Sequence, residues 1–199
     1  VVKLYLQKLL SSMFLGKKTK KLIVVTPSDK KIGETSIREA HDRLLLHRAV
    51  TVFIFNPRGE LLITKRSRKK RLWPLYWESS CSTHVYAGET YKTAAKRRIK
   101  EELGIETDLK LALKFTYTAR YKNLGGENEV CCLFTGKYQG RIKPNKEEIE
   151  GFKWIEPKRL LKETKDRRRK RFAPWLKIAL CRYIRLSKDK QAEKTTSPQ

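Results

Sequence analysis

Residues 49–56, AVTVFIFN, are apolar at nearly every position. A strand of that kind carries apolar side chains on both faces and must be covered on both. NPRG (56–59) marks a turn and ELLITKR (60–66) a second strand, so 49–66 reads as a hairpin. ETYKTAAKRRIKEELG (89–104) reads as a helix: Ala95, Ile99 and Leu103 form an apolar i, i+4 stripe, and Gly104 is its C-terminal stop. Alternating stretches near 109–118 and 128–136 read as strands around the loop RYKNLGG, and FKWIEP (152–157) as a short strand. Helices are expected from Pro157 and over 174–186, whereas 75–88 has no clean periodicity. Hairpin, helix, strands and helix, in that order, predict an α+β domain, a mixed sheet between helices in an α/β/α sandwich.

With 199 residues, 39% of them hydrophobic, the chain has material for one domain with extensions. We expect a basic N-terminal extension at 1–21, a domain at 22–187 and a polar tail at 188–199. The extension lacks the Arg that targeting segments usually carry. The net charge of +26 favours anionic partners: phosphates, nucleic acid or anionic membranes. No apolar run reaches the roughly 18 residues that span a bilayer. The four cysteines (Cys81, Cys131, Cys132, Cys181) form no CxxC and include an adjacent pair, which points to a reducing compartment, read as cytoplasmic.

The helix at 89–104 also carries chemistry. Glu89 is expected to open it, and Arg97, Arg98, Glu101 and Glu102 crowd its last turns over one sector. Such a face is commonly a set of solvated salt bridges. It is also what a metal and phosphate site needs, carboxylates for Mg2+ and guanidinium for phosphate.

GETYKTAAKRRIKEELGI (88–105) resembles the Nudix box, G-x5-E-x7-R-E-U-x-E-E-x-G-U, with U a bulky apolar residue. Glu89, Arg97, Ile99, Glu101, Glu102, Gly104 and Ile105 match; Thr83 replaces the first Gly, and Arg98 replaces the Glu after the Arg. In many Nudix hydrolases that Glu is a metal ligand or base. An Arg-Arg pair there is instead similar to the type 1 isopentenyl-diphosphate delta-isomerases, Nudix-fold enzymes that do not hydrolyse. The resemblance runs over residues 22–186: LLHRAVTVFIFNPRGELLITKRS (45–67), WPLYWESSCSTH (73–84), GENEVC (126–131) and APW (173–175) resemble family segments in the same order. It implies a Nudix fold with a mixed sheet flanked by helices. It also implies metal-dependent interconversion of isopentenyl and dimethylallyl diphosphates in isoprenoid biosynthesis, with the diphosphate as small-molecule partner. The alternative is a Nudix hydrolase of a nucleoside or prenyl diphosphate, which HVYAGE (84–89) resembles more closely. A third reading is a weakly catalytic Nudix-fold protein that binds nucleic acid through KDRRRKR (165–171). The chain lacks the aromatic-basic interleaving that stacks bases, so nucleic acid is not the expected partner.

The resemblance implies one divalent metal, Zn2+, Mn2+ or Mg2+, held by His41, His47, His84, Glu127 and Glu129. The two glutamates at i, i+2 of a strand share a face, and the His41–His47 spacing, six residues rather than the usual seven, requires a local adjustment. Glu102 matches the ligand of a second ion, Mg2+, that bridges to the diphosphate. Arg66, Lys70 and Arg98 match the positions that grip the diphosphate, with Arg38 as a further candidate. Double-bond migration needs an acid and a base on opposite sides of an allylic fragment. Glu129 matches one, Tyr117 its hydrogen-bonding tyrosine, and Trp175 the indole that faces a tertiary carbocation. The family's catalytic Cys falls on Ser82, with Cys81 one residue earlier. A serine hydroxyl is a far weaker acid than a thiol with its pKa of about 8.5. Three readings stay open: Ser82 acts with water at reduced rate, Cys81 takes over through a one-residue shift, or the isomerase activity is lost.

Overall fold

The computed structural model describes residues 20–166 and 171–196. Residues 1–19 of the basic extension and most of KDRRRKR lie outside the described residues. The elements run β1 (Leu22–Val25), β2 (Lys31–Thr35), α1 (Ile37–Arg43), β3 (His47–Phe55), β4 (Leu61–Arg66), β5 (Trp77–Glu78) and β6 (Cys81–His84). They continue with α2 (Tyr91–Leu103), β7 (Lys110–Arg120), β8 (Gly126–Lys137), β9 (Ile149–Ile155), α3 (Pro157–Lys165) and α4 (Pro174–Thr196).

The apolar run is the central strand, β3. It pairs in parallel with β8 along its whole length and antiparallel with β6, which makes the sheet mixed. Its two faces feed two cores. Ala49 and Phe53 pack with Leu160 of α3 and with Leu176, Ala179 and Leu180 of α4. Val50, Val52 and Ile54 pack with Ala94, Ala95, Ile99 and Leu103 of α2. A strand apolar on both faces is thus satisfied by helices above and below.

The hairpin reading of 49–66 needs correction. The turn exists, with Asn56 Oδ1 accepting from the amides of Arg58 and Glu60. However, β3 and β4 pair only at Phe55 and Leu61. Both edges of β3 are taken by β8 and β6, so β4 diverges and pairs with β9 and β5.

Helix α2 ends at Gly104 as expected, with φ +65°, but it starts later than Glu89. Thr90 is the N-cap, its hydroxyl accepting from the Thr93 amide, because a short hydroxyl satisfies the first helical amides. Glu89 stands outside the helix and binds Arg97 (2.5 Å) and the Tyr86 amide (3.0 Å). Helix α4 continues to Thr196, through the segment expected as a polar tail.

Candidate active site

Strand register builds the site. His47 lies beside Glu129 of β8, and Glu129 beside Tyr117 of β7, so three functional side chains stand in a row across three strands. On the other side of β3, His84 pairs with Ala49 and Ser82 with Thr51. Ala49 and Thr51 are i+2 and i+4 from His47, so all these side chains emerge on one face. His41 arrives from the last turn of α1. The chain reverses there through Leu44 in the left-handed region (φ 53°), whose amide, like that of Leu45, bonds the Ala40 carbonyl. This turn is the local adjustment that the short His41–His47 spacing requires.

The result is a buried cluster. Donor atoms of His41, His47, His84 and Glu127 all lie within 4.8 Å of one another. Glu127 Oε2 is 3.1 Å from His41 Nε2, 3.4 Å from His84 Nε2 and 3.6 Å from His47 Nε2. Glu129 Oε1 is 3.5 Å from His84 Nε2 and 3.8 Å from His47 Nε2. Ligands about 2.1 Å from one ion stand about 3.0–3.5 Å apart, so this spacing suits a divalent metal. His47 supplies the sharper sign. Its Nδ1 is 2.7 Å from the Leu45 carbonyl, while its fully buried Nε2 faces the cluster with no hydrogen-bond partner. A ring held at one nitrogen and bare at the other is the arrangement of a metal-ligating histidine.

Electrostatics within the cluster diverge. Burial, assisted by His84, pulls the pKa of His47 down to about 4. Burial also opposes charge on His84, but Glu127 and Glu129 outweigh it and hold His84 up at about 9. Glu127, despite burial, is held well below the ordinary carboxylate range by His41 and His84. Glu129 is raised by burial and by its neighbour Glu127, against which His84 and Tyr117 act to lower it.

A pocket of about 630 Å3 opens over the cluster. Ser82, His84, Tyr117 and Glu129 line it together with Arg66, Lys70, Arg98 and Trp175. Arg38 is exposed at its rim, 3.6 Å from Asp42. Ser82 Oγ is 2.7 Å from Ser79 Oγ and 3.4 Å from Thr51 Oγ1. Cys81 is a correction: alternation turns it to the opposite face of the sheet, where it is fully buried against the α2 core. Burial also pushes its thiol pKa well up. Glu102 lies apart from the histidine cluster, buried beneath Arg98, and burial raises its pKa to about 7.

The sequence reading missed two acids. Glu148, in the loop before β9, lines the pocket and binds both Lys70 and Arg98, the latter at 2.6 Å. Glu78 is buried, 3.0 Å from Arg66 Nη1 and 3.1 Å from Trp175 Nε1. Their one sequence signal is acid density: KEEIE is an acidic stretch in a basic chain, and Glu78 is a lone acid in WESSCSTH.

Fold and box together define a Nudix protein, and residues 45–176 match the NUDIX domain family. A Deinococcus radiodurans crystal structure shares the fold at TM-score 0.69 and 23% identity, covering 82% of this chain and 98% of that one. A MutT protein from Methanosarcina mazei does so at TM-score 0.61 and 19% identity, covering 72% and 96%. Among curated relatives, the isopentenyl-diphosphate Delta-isomerase of Haloarcula marismortui is 31% identical over 81% of this chain and 89% of its own. That of Serratia proteamaculans is 34% identical over 77% and 86%. The chain belongs to the isopentenyl-diphosphate Delta-isomerase family. No helix among the described residues is long and apolar enough to cross a membrane.

Proposed function

We propose that this protein is an isomerase that interconverts isopentenyl and dimethylallyl diphosphates. The observation that carries this reading is Arg98. Where a Nudix hydrolase keeps a carboxylate for metal or water, this chain aims a cation into the pocket, beside Lys70 and Arg66. A guanidinium so placed can bind a diphosphate, but it can neither hold a metal nor take a proton from water as that carboxylate would.

His41, His47, His84, Glu127 and Glu129 would hold one divalent ion, and Glu102, paired with Arg98, would be the carboxylate for a Mg2+. A bound ion would supply positive charge that favours the ionised form of Glu129. The remaining work belongs to the chain. Ser82 on β6 and Glu129 on β8 stand on opposite sides of β3 and both reach the pocket. One side adds a proton to the terminal carbon of the double bond, the other removes one from the carbon nearer the diphosphate, and the double bond moves between them. Tyr117 orients Glu129, and the Trp175 face stabilises the transient tertiary cation. Four unpaired thiols fit a reducing cytoplasm.

The test is to incubate purified protein with isopentenyl diphosphate and Mg2+, Mn2+ or Zn2+ and to resolve the products. Dimethylallyl diphosphate is expected, and chelation should abolish its formation. Release of phosphate without isomer would establish hydrolysis instead, and no turnover with any of the metals would overturn both.

A further inference from the structure

Glu78 couples two parts of the pocket that have separate tasks. One carboxylate oxygen meets Arg66 Nη1 at 3.0 Å and the other accepts from Trp175 Nε1 at 3.1 Å. The Arg66 guanidinium in turn lies 5.1 Å from the centre of the Trp175 ring, so guanidinium, indole and carboxylate form a closed triangle. Neighbours hold it in place. Arg66 donates to the Trp73 and Leu72 carbonyls (3.0 and 2.9 Å), and the Trp73 ring packs edge-on against Trp175 at 5.3 Å. Glu78 does not itself line the pocket, whereas Arg66 and Trp175 both do.

The charges create a conflict that Glu78 resolves. A cation over an indole uses the negative face of the ring and opposes a second cation near it. The carboxylate offsets the Arg66 charge and, by accepting the indole N–H, returns electron density to the ring. The same offset weakens Arg66 as an anion grip. We propose that Glu78 is a positioning residue that gives up part of the Arg66 hold on the diphosphate to keep the Trp175 face attractive to a cation; this rests on the isomerase reading above.

The test is Glu78→Gln, which keeps shape and removes charge. Three changes are expected: inorganic pyrophosphate with Mg2+ binds about fivefold more tightly, kcat for isomerisation falls about tenfold, and the Trp175 indole N–H resonance moves upfield. In a Trp175→Phe background the same substitution should lower kcat by less than twofold, about the scatter of additive effects. A purely structural role would weaken pyrophosphate binding and kcat together, and that result would overturn the proposal. Should the variant not fold, the unaltered protein decides. Pyrophosphate drawn to Arg66 must shift the Trp175 N–H signal, assigned with Trp175→Phe, and an unmoved signal overturns the coupling. Both binding and resonance are read without turnover, so failure of the isomerase reading is scored separately by the product assay.

Discussion

Ser82 and Cys81 are adjacent, and spacing from Trp77 alone allows either to serve as the acid. Pairing of β6 with β3 separates them, since Ser82 opposes Thr51 on the pocket face and Cys81 opposes Val52 on the α2 face. Ser82→Cys should therefore raise kcat, by about tenfold or more, because a thiol is the stronger acid. Cys81→Ala should leave kcat within about twofold while lowering thermal stability through a small core void. Product assays and melting curves on the two variants check both. The histidines carry a second expectation. His84 holds a proton up to about pH 9 in the metal-free protein and must lose it to bind a metal. Affinity for Mn2+, measured by calorimetry, should climb as pH rises toward 9 and level off there. The residue types of the cluster were legible in the sequence, since all three histidines of the chain enter it. The proton distribution was not, because it depends on distances between side chains from four different elements.

Two turns outside the pocket lining hold the site in register. Gly125, in the hairpin between β7 and β8, has φ +111°, and a Cβ there would stand 2.7 Å from the His41 carbonyl. Gly125→Ala should displace α1, costing about 1–2 kcal/mol of stability and about tenfold in metal affinity. Denaturation and metal titration measure the two effects. The β1–β2 turn places Asp29 at φ 64° and sends its carboxylate to Arg48 of β3 (2.7 Å), Tyr91 of α2 (3.0 Å) and Lys114 of β7. Burial opposes its charge, but Lys114, Arg48 and Tyr91 outweigh burial and lower its pKa. A lowered folded pKa stabilises above the unfolded value of about 3.9 and is lost as pH falls through the folded value. Asp29→Asn should therefore cost about 1–2 kcal/mol at neutral pH. Urea titrations should show the difference from the unaltered protein closing as pH falls below the ordinary carboxylate range. RYKNLGG was legible as a loop between two strands. Its pressure on His41 was not, because α1 and that loop lie far apart in the chain.

The net charge of +26 is the largest feature of the composition and the least informative about the site. Part of it is answered locally. The basic loop after β4 meets the acidic stretch that leads into β9: Arg68 binds Glu150 at 2.5 Å, Lys69 binds Glu147 at 2.6 Å, and Lys70 binds Glu148. The first two of these pairs are exposed and contribute little individually, so the uncompensated excess should dominate the response to salt. Raising NaCl from about 20 to 300 mM should increase the melting temperature by a few degrees as self-repulsion is screened. A fall would mean that the ion pairs matter more than the excess. The strand and helix periodicities, the two-faced burial of 49–56 and the box with its Arg98 are local patterns, and reading along the chain recovered them. The partner of β4, the face to which Cys81 turns, and the acids that answer Arg66, Lys70 and Arg98 came from the three-dimensional packing. Alternation tells which side chains share a face, but only pairing tells what lies opposite, and residues such as Lys70 and Glu148, 78 positions apart, meet only through the register of the sheet.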